Sequence, residues 1–308
     1  MSIRQLSTEL AKNAEDILGE RPDNLLEDIK AIRSWIEKQP YLIARDDEQF
    51  IVTFLRVCKF RLEETKRRIE AYLTCKQFYS ELFRIRPVDW KVLDIVRSGF
   101  SCALPEPNPN NGARIIISQF AHFNPQKHKL RDFFKVNFML FEIMAFEDDV
   151  TGVNGLEQVI DLKNCTFQQT LHFDPMDLKK IYHYQEQCVP VRLLRIHIIN
   201  LRRELQAAYK LANGILPADI PFEILLHEKE EDLYNFIPLE SLTDEYGGKN
   251  GTKQELIQET EKIFQDHVEY FEKDALLGTN EKLRHESQNF NLQTDFGVDG
   301  SFRKLEVD

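Results

Sequence analysis

Two strongly apolar segments, NGLEQVIDL (154–162) and RLLRIHIIN (192–200), constrain this chain more than any other feature. Both are short runs rich in Val, Ile and Leu, too apolar along their length to leave one face in water. Helical segments lie between them, and an apolar helix and the peptide LTDEYGG (242–248) follow. Strands alternating with helices predict an α/β fold with a mixed or parallel sheet and crossover helices. The intervening helices carry Phe, Leu and Tyr where an enzyme would place nucleophiles or metal ligands. The pattern is that of a fold built to hold something greasy.

Charge and composition exclude several classes. The chain has 308 residues, with 40 Lys and Arg against 51 Asp and Glu, a formal net charge of -11. Such a surface repels polyanions, and no basic stripe is long enough to bind nucleic acid. Cys58, Cys75, Cys102, Cys165 and Cys188 are odd in number, widely spaced and set in apolar or helical surroundings. They read as reduced thiols of a cytoplasmic protein. There is no N-terminal apolar core of a signal peptide and no run of about 18 apolar residues, so no membrane span is expected. The 22 Phe against 2 Trp and 4 Met raise the question of where so many rings go.

Periodicity divides the chain. Leu25, Leu26, Ile29, Ile32, Trp35 and Ile36 recur at helical spacing until Pro40. A second helix starts after an Asp46-Asp47 cap, and a third carries Ile69, Tyr72, Leu73 and Phe78. These predict a helical bundle over residues 1–90, with the charges of 63–68 on a solvated face. PEPNPNNG (105–112) must turn, and it leads into the β-branched run 115–117. A helix from Leu130 to about Glu147 is apolar around most of its girth, so it must be covered on several sides or border a cavity. Further strands are expected at 156–162, 193–199 and 222–226, which closes the second domain at about 250. The stretch 252–273 reads as one amphipathic helix, giving a C-terminal helix over 251–276. The tail 277–308 is polar and expected to be loosely ordered.

No catalytic or metal motif emerges. There is no GxSxG, no phosphate loop, no GxGxxG after a strand and no HExxH. The eight His lack metal-ligand spacing, so neither a metal nor a cofactor is expected. Glu147, Asp148 and Asp149 end the long helix against its dipole and read as solvated. In ELQAAYKLANGIL (204–216) small residues alternate with large apolar ones, and Asn213-Gly214 ahead of Pro217 is a natural stop or hinge.

The order and content of FLRVCKF (54–60), NGLEQVIDLKN (154–164), VPVRLLRIHIIN (189–200) and LTDEYGG (242–248) resemble the CRAL-TRIO lipid-transfer proteins, the group that includes alpha-tocopherol transfer protein and cellular retinaldehyde-binding protein. The resemblance covers about residues 25–275. It implies an N-terminal helical bundle, a CRAL-TRIO lipid-binding domain with flanking helices around a hydrophobic pocket, and a mobile gate helix. Carried over residue by residue, it implies a pocket lined by Phe134, Asn137 and Phe141 on the long helix and by Leu156 and Ile160 on a strand. The lining continues through Cys165, Phe167, Phe173, Ile181 and Tyr184, and Ala208, Tyr209 and Leu216 of the gate close it. Asn137, Tyr184 and His183 are then candidates to meet a polar head group.

The family's phosphoinositide grip is altered. Arg192 matches, whereas Cys58, Leu194, Asp219 and Glu223 stand where cations are expected, and Arg195 is a partial substitute beside a lost position. Gate residues 213–216 and the segment NLRREL also depart from the family pattern. The resemblance therefore implies a cytoplasmic, monomeric carrier of one hydrophobic ligand such as a retinoid, tocopherol or carotenoid. It would meet membrane surfaces transiently, bind no nucleic acid and catalyse no reaction. A phosphoinositide handler and an adaptor with a vestigial pocket are the alternatives.

Overall fold

The structure is a computed structural model and describes residues 3–84, 86–216 and 220–284. Its N-terminal part holds α1 (Thr8–Asn13), α2 (Pro22–Glu37), the two-residue strand β1 (Leu42–Ile43), α3 (Glu48–Val57), α4 (Leu62–Phe78), α5 (Ser80–Phe83) and α6 (Trp90–Arg97). Local chemistry sets these boundaries. Pro22 occupies the first turn of α2, where its missing N–H costs nothing. Asp47 caps α3 by accepting from the Phe50 amide, and Asp89 caps α6 through the amides of Lys91 and Val92. Every residue of α3 from Gln49 to Arg56 is buried, because α2 and α4 of the bundle and residues 130–154 of the second part pack around it.

The second part is a five-stranded sheet of order β2-β3-β4-β5-β6, formed by Ser101–Ala103, Arg114–Gln119, Leu156–Asp161, Leu193–Ile199 and Glu223–Leu226. β2 runs antiparallel to β3, and β3 to β6 are mutually parallel. The β2 strand gave no sequence signal, because three residues are too few to show a period. PEPNPNNG is the turn joining β2 to β3. Between the parallel strands run α7 (Leu130–Glu147) and α8 (Asp149–Asn154), then α9 (Phe167–Thr170) and α10 (Pro175–His183), then α11 (Gln206–Gly214). The chain continues through α12 (Lys253–Asp266) and α13 (Val268–Asp274).

Strand pleating sorts side chains onto two faces. Ile115, Ile117, Val159 and Ile199 pack on one side with Leu233, Ile237, Leu242, Tyr246 and Leu256. Ile116, Leu156, Ile196 and Ile198 face the other, against α7. A register slip places Leu156 opposite Leu193 but Glu157 opposite Arg195. That one-residue bulge lets Leu193 and Ile196 share a face, which strict alternation would forbid. The LTDEYGG peptide closes the back. The Tyr246 hydroxyl donates to Asp161 Oδ2 at 2.8 Å, at the end of β4. A Cβ on Gly248 would lie 2.1 Å from the Leu242 carbonyl oxygen, so no other residue fits there.

One apolar core runs from Ile29 and Ile32 of α2 through Phe50, Phe54 and the inner face of α7 to Leu156, Ile198, Phe264 and Phe271. Bundle and sheet are thus packed together across residue 90. A buried charge network reinforces this junction. Arg86 donates to both oxygens of Glu142, at 2.9 and 2.7 Å, and to Asp274 at 2.7 Å, while Lys76 reaches Asp274 at 2.6 Å.

Three expectations need correction. Asp148 and Asp149 are half-buried: Asp148 caps α8 and binds Arg114 at 2.9 Å, and Asp149 binds Arg4 at 3.1 Å. Placing the pair at the start of a second helix turns an unfavourable dipole contact into a favourable one. The C-terminal helix is two helices, broken at His267, whose ring nitrogen bonds the Ile263 carbonyl at 2.6 Å. The tail is ordered as far as Arg284. β7 (Gly278–Thr279) pairs with β1, and Arg284 is buried against Glu70, Thr74 and the Tyr41 ring. These contacts are made with residues some 200 positions away, which no local pattern encodes. The remainder of the expected tail, 285–308, lies outside the described residues.

Candidate binding cavity

Between the α7 side of the sheet and the helices α7, α10 and α11 lies a cavity. It offers about 160 Å³ to the centres of water-sized guests, and about 1200 Å³ of space free of protein atoms when its mouth is included. A single water needs roughly 10–15 Å³ on the first measure, so the space suits a whole ligand. Its floor is Gln158, Ile160, Ile196, Ile198 and Ile224, the residues that the pleat and the β5 bulge direct to one side. One wall is Phe134, Asn137 and Phe138, spaced three and four apart on α7. Leu178, Ile181, Tyr182 and Gln185, on α10 and the turn after it, form another. Ala208, Tyr209 and Ala212 of α11 with Leu216 beyond it make the cover.

The lining carries no charged side chain among the described residues. Its polar groups are organised at the floor. Ser101 Oγ donates to Asn137 Oδ1 at 2.7 Å and lies 3.1 Å from Ser118 Oγ, which accepts from Gln158 Nε2 at 3.0 Å. The amide nitrogen of Asn137 and the carbonyl oxygen of Gln158 are left without a protein partner among the described residues, one donor and one acceptor. Gln185 Nε2 is a buried donor without one. Burial and the neighbouring Tyr209 push the Tyr182 hydroxyl up to about 12, so it is neutral at physiological pH.

Of the residues expected to form the pocket, Phe134, Asn137 and Ile160 line the cavity, as do Cys165, Phe173 and Ile181 and the cover residues Ala208, Tyr209 and Leu216. Four do not. Phe141 is buried one turn beyond Phe138, against whose ring it packs at 5.9 Å, on the same face of α7 but past the end of the cavity. Leu156 is wholly buried at the start of β4. Tyr184 stacks on Phe83 at 3.8 Å and donates its hydroxyl to Glu142, so it belongs to the charge network. Phe167 is half exposed. His183 is also absent from the lining. Sequence reading missed Phe100, Phe120, Phe138 and Gln158; for Gln158 the signal was a lone amide in an apolar strand. Gly214 needs no glycine conformation, since a Cβ there would meet nothing. Pro217 and Asp219 lie outside the described residues.

The two arginines of the expected head-group grip are engaged internally. Arg192 donates to the carbonyls of Val153 and Asn154, at 3.3 and 3.4 Å. Arg195 binds Glu157 at 2.8 Å and Glu223 at 2.7 Å. On the elements around the cavity, Phe167, Leu171, Met176 and Leu211 present exposed apolar surface. No helix among the described residues is long and apolar enough to cross a membrane.

Residues 102–248 match the CRAL/TRIO domain, and residues 21–91, which run from α2 to the first two residues of α6, match a domain described as Pinta-like, UBA. The mouse alpha-tocopherol transfer protein-like protein is 27% identical over 249 residues, covering 80% of this chain and 71% of its own. Human clavesin-2 is 28% identical over 246 residues, covering 79% and 75%. The solved Sfh5 chain aligns with 87% of this one at 14% identity and a TM-score of 0.47, too distant to add weight. With its mixed sheet and its apolar cavity, the part of the chain over residues 102–248 is a CRAL/TRIO domain, preceded by the helical part that matches the Pinta-like, UBA description.

Proposed function

We propose that this protein is a carrier for one neutral, largely apolar lipid bearing a small uncharged polar group. The observation that carries this reading is the lining itself: aromatic and aliphatic walls, no charged side chain among the described residues, and spare hydrogen-bonding capacity on the amides of Asn137, Gln158 and Gln185. An ionised carboxylate or phosphate in such a space would lose its hydration with no cation to replace it, at a cost of several kcal/mol or more. A hydroxyl or carbonyl can instead complete the hydrogen bonds of Asn137 and Gln158. Burying roughly 400 Å² of apolar guest contributes on the order of 10 kcal/mol before the entropy of association is subtracted, which suffices for submicromolar binding.

Long alcohols, aldehydes and phenols of the retinoid, carotenoid or tocopherol kind have this chemistry, and the mouse relative's name speaks of tocopherol. In this reading the guest leaves chemically unchanged. α11 is the cover that moves. Leu211 on its outer surface and Leu171 and Phe167 beside it give the cover an apolar face to set against a lipid surface, so the guest passes without crossing water. The carrier is a cytoplasmic monomer that visits membranes, in keeping with its five free buried cysteines.

Organic extraction of the natively purified protein, followed by mass spectrometry, tests the reading. The expected result is about one neutral lipid per chain. Recovery of phospholipid or fatty acid alone, or of no lipid after incubation with a neutral lipid mixture, refutes it.

A further inference from the structure

Cys75 on α4 and Cys188 at the end of the turn Tyr184–Cys188 are 113 residues apart, yet their Sγ atoms lie 3.1 Å from each other. Both are fully buried and unbonded. His183 joins them, with a ring nitrogen and the two sulfurs all within 4.8 Å of one another. The turn that brings this about is π-helical. In an α-helix, residues five apart point about 140° away from each other. The wider i→i+5 turn brings 183 and 188 to one side, and such turns recur at functional sites. Arg68 fixes the turn from the bundle side, donating to the Glu186 and Val189 carbonyls at 2.6 and 2.9 Å.

We propose that Cys75, His183 and Cys188 form a buried site for a thiophilic d10 cation, Zn2+ or Cu+. Two sulfurs and an imidazole nitrogen are the donor set that such ions select. Zinc–sulfur bonds of about 2.3 Å at a tetrahedral angle place the sulfurs roughly 3.8 Å apart, so the pair opens by roughly 0.7 Å to admit the ion. Binding displaces the two thiol protons. The divalent ion with two thiolates and a neutral imidazole carries no net charge, which suits a dry core, whereas the monovalent ion is content with three ligands. The ion would tie α4 of the bundle to the segment that supplies Ile181, Tyr182 and Gln185 to the cavity wall. It would thereby hold that wall in place independently of what the cavity contains.

The full-length protein is stripped of metal under reducing conditions and titrated with Zn2+ and, anaerobically, with Cu+. Bound metal is measured by inductively coupled plasma mass spectrometry after desalting, and thermal midpoints are recorded alongside. The expected result is one equivalent of one of the two ions per chain, a midpoint raised by several degrees, and uptake at least tenfold weaker in both Cys75→Ser and Cys188→Ser. The ion retained identifies the metal. Retention of neither ion by the wild-type protein overturns the proposal whether or not the variants fold, and so does undiminished uptake in both variants. A wild-type chain two hydrogens lighter by intact mass, taking up neither ion, assigns the sulfurs to a disulfide instead.

Discussion

Arg195 is ion-paired with Glu157 at 2.8 Å, and Glu157 is a carboxylate with no solvent exposure. Asn108 and Asn111 also donate to Glu157, at 2.7 and 2.9 Å, and Glu223 takes the Nε edge of the guanidinium. The cation that stands next to a lost head-group position is therefore part of a satisfied internal cluster. Removing it to grip a phosphate would leave Glu157 buried beside amides alone.

Binding to membranes should depend little on phosphoinositides. In vesicle pelleting, wild-type protein is expected to bind neutral vesicles and vesicles containing phosphoinositides within about a factor of two of each other. Glu223→Lys, which removes one carboxylate and adds a cation, should create a clear preference for the phosphoinositide vesicles. A strong, salt-sensitive preference in the wild type would show that other cations form the grip.

Tyr209 and Phe141 should behave differently when made acidic. Tyr209 is half-buried at the cavity cover, so Tyr209→Asp is expected to abolish lipid retention while far-UV circular dichroism stays near normal. Phe141 is 1% exposed within the core, and Phe141→Asp buries a carboxylate without a partner. That variant should lose several kcal/mol of stability or fail to fold. If it folds with wild-type stability and loses only its lipid, the placement of Phe141 outside the cavity is wrong.

Glu142 should govern acid stability. Burial alone would raise its proton affinity, but Arg86 and Lys76 overcome it and hold the carboxyl down at about 2, against an ordinary 4.5. Because the folded value lies below the unfolded one, its contribution is complete above about pH 4.5 and is lost as pH falls toward 2. Urea midpoints should thus be insensitive to Glu142 between pH 7 and 5 and fall below that. Glu142→Gln leaves two buried cations facing Asp274 alone. It should cost about 3–5 kcal/mol at pH 7 and flatten the acid limb.

The end of the described chain should matter to the bundle. Arg284 donates to Thr74 Oγ1 at 2.9 Å and pairs with Glu70 and Glu281. Arg284→Ala is expected to remove about 1.5–3 kcal/mol, because Glu70 and Thr74 lose a charged donor in a buried site. Equal thermal midpoints for the variant and the wild type would mean that β1 and β7 hold without it.

The sequence by itself determined the helices and strands whose periods are long enough to be read. α7 spans Leu130–Glu147 as its unbroken apolar spacing requires, Asp47 caps α3, and the apolar runs became β4 and β5. It also carried the CRAL/TRIO domain of residues 102–248, since its motifs are local words in a fixed order. Only the tertiary structure decided which stretch of α7 meets empty space. Phe134 and Phe138 line the cavity while Phe141, on the same face one turn further on, is packed in the core past its end, and nothing in a helix that is apolar all round marks where the empty space stops. Glu142 lies buried in that helix because Lys76, Arg86 and Asp274 come from distant segments to surround it. The bulge in β5 and the meeting of Cys75 with His183 and Cys188 have the same origin. Periodicity and capping are correlations between near neighbours along the chain. Cavities and buried charge or thiol clusters depend on which surfaces close-pack against each other, a property of the folded chain as a whole.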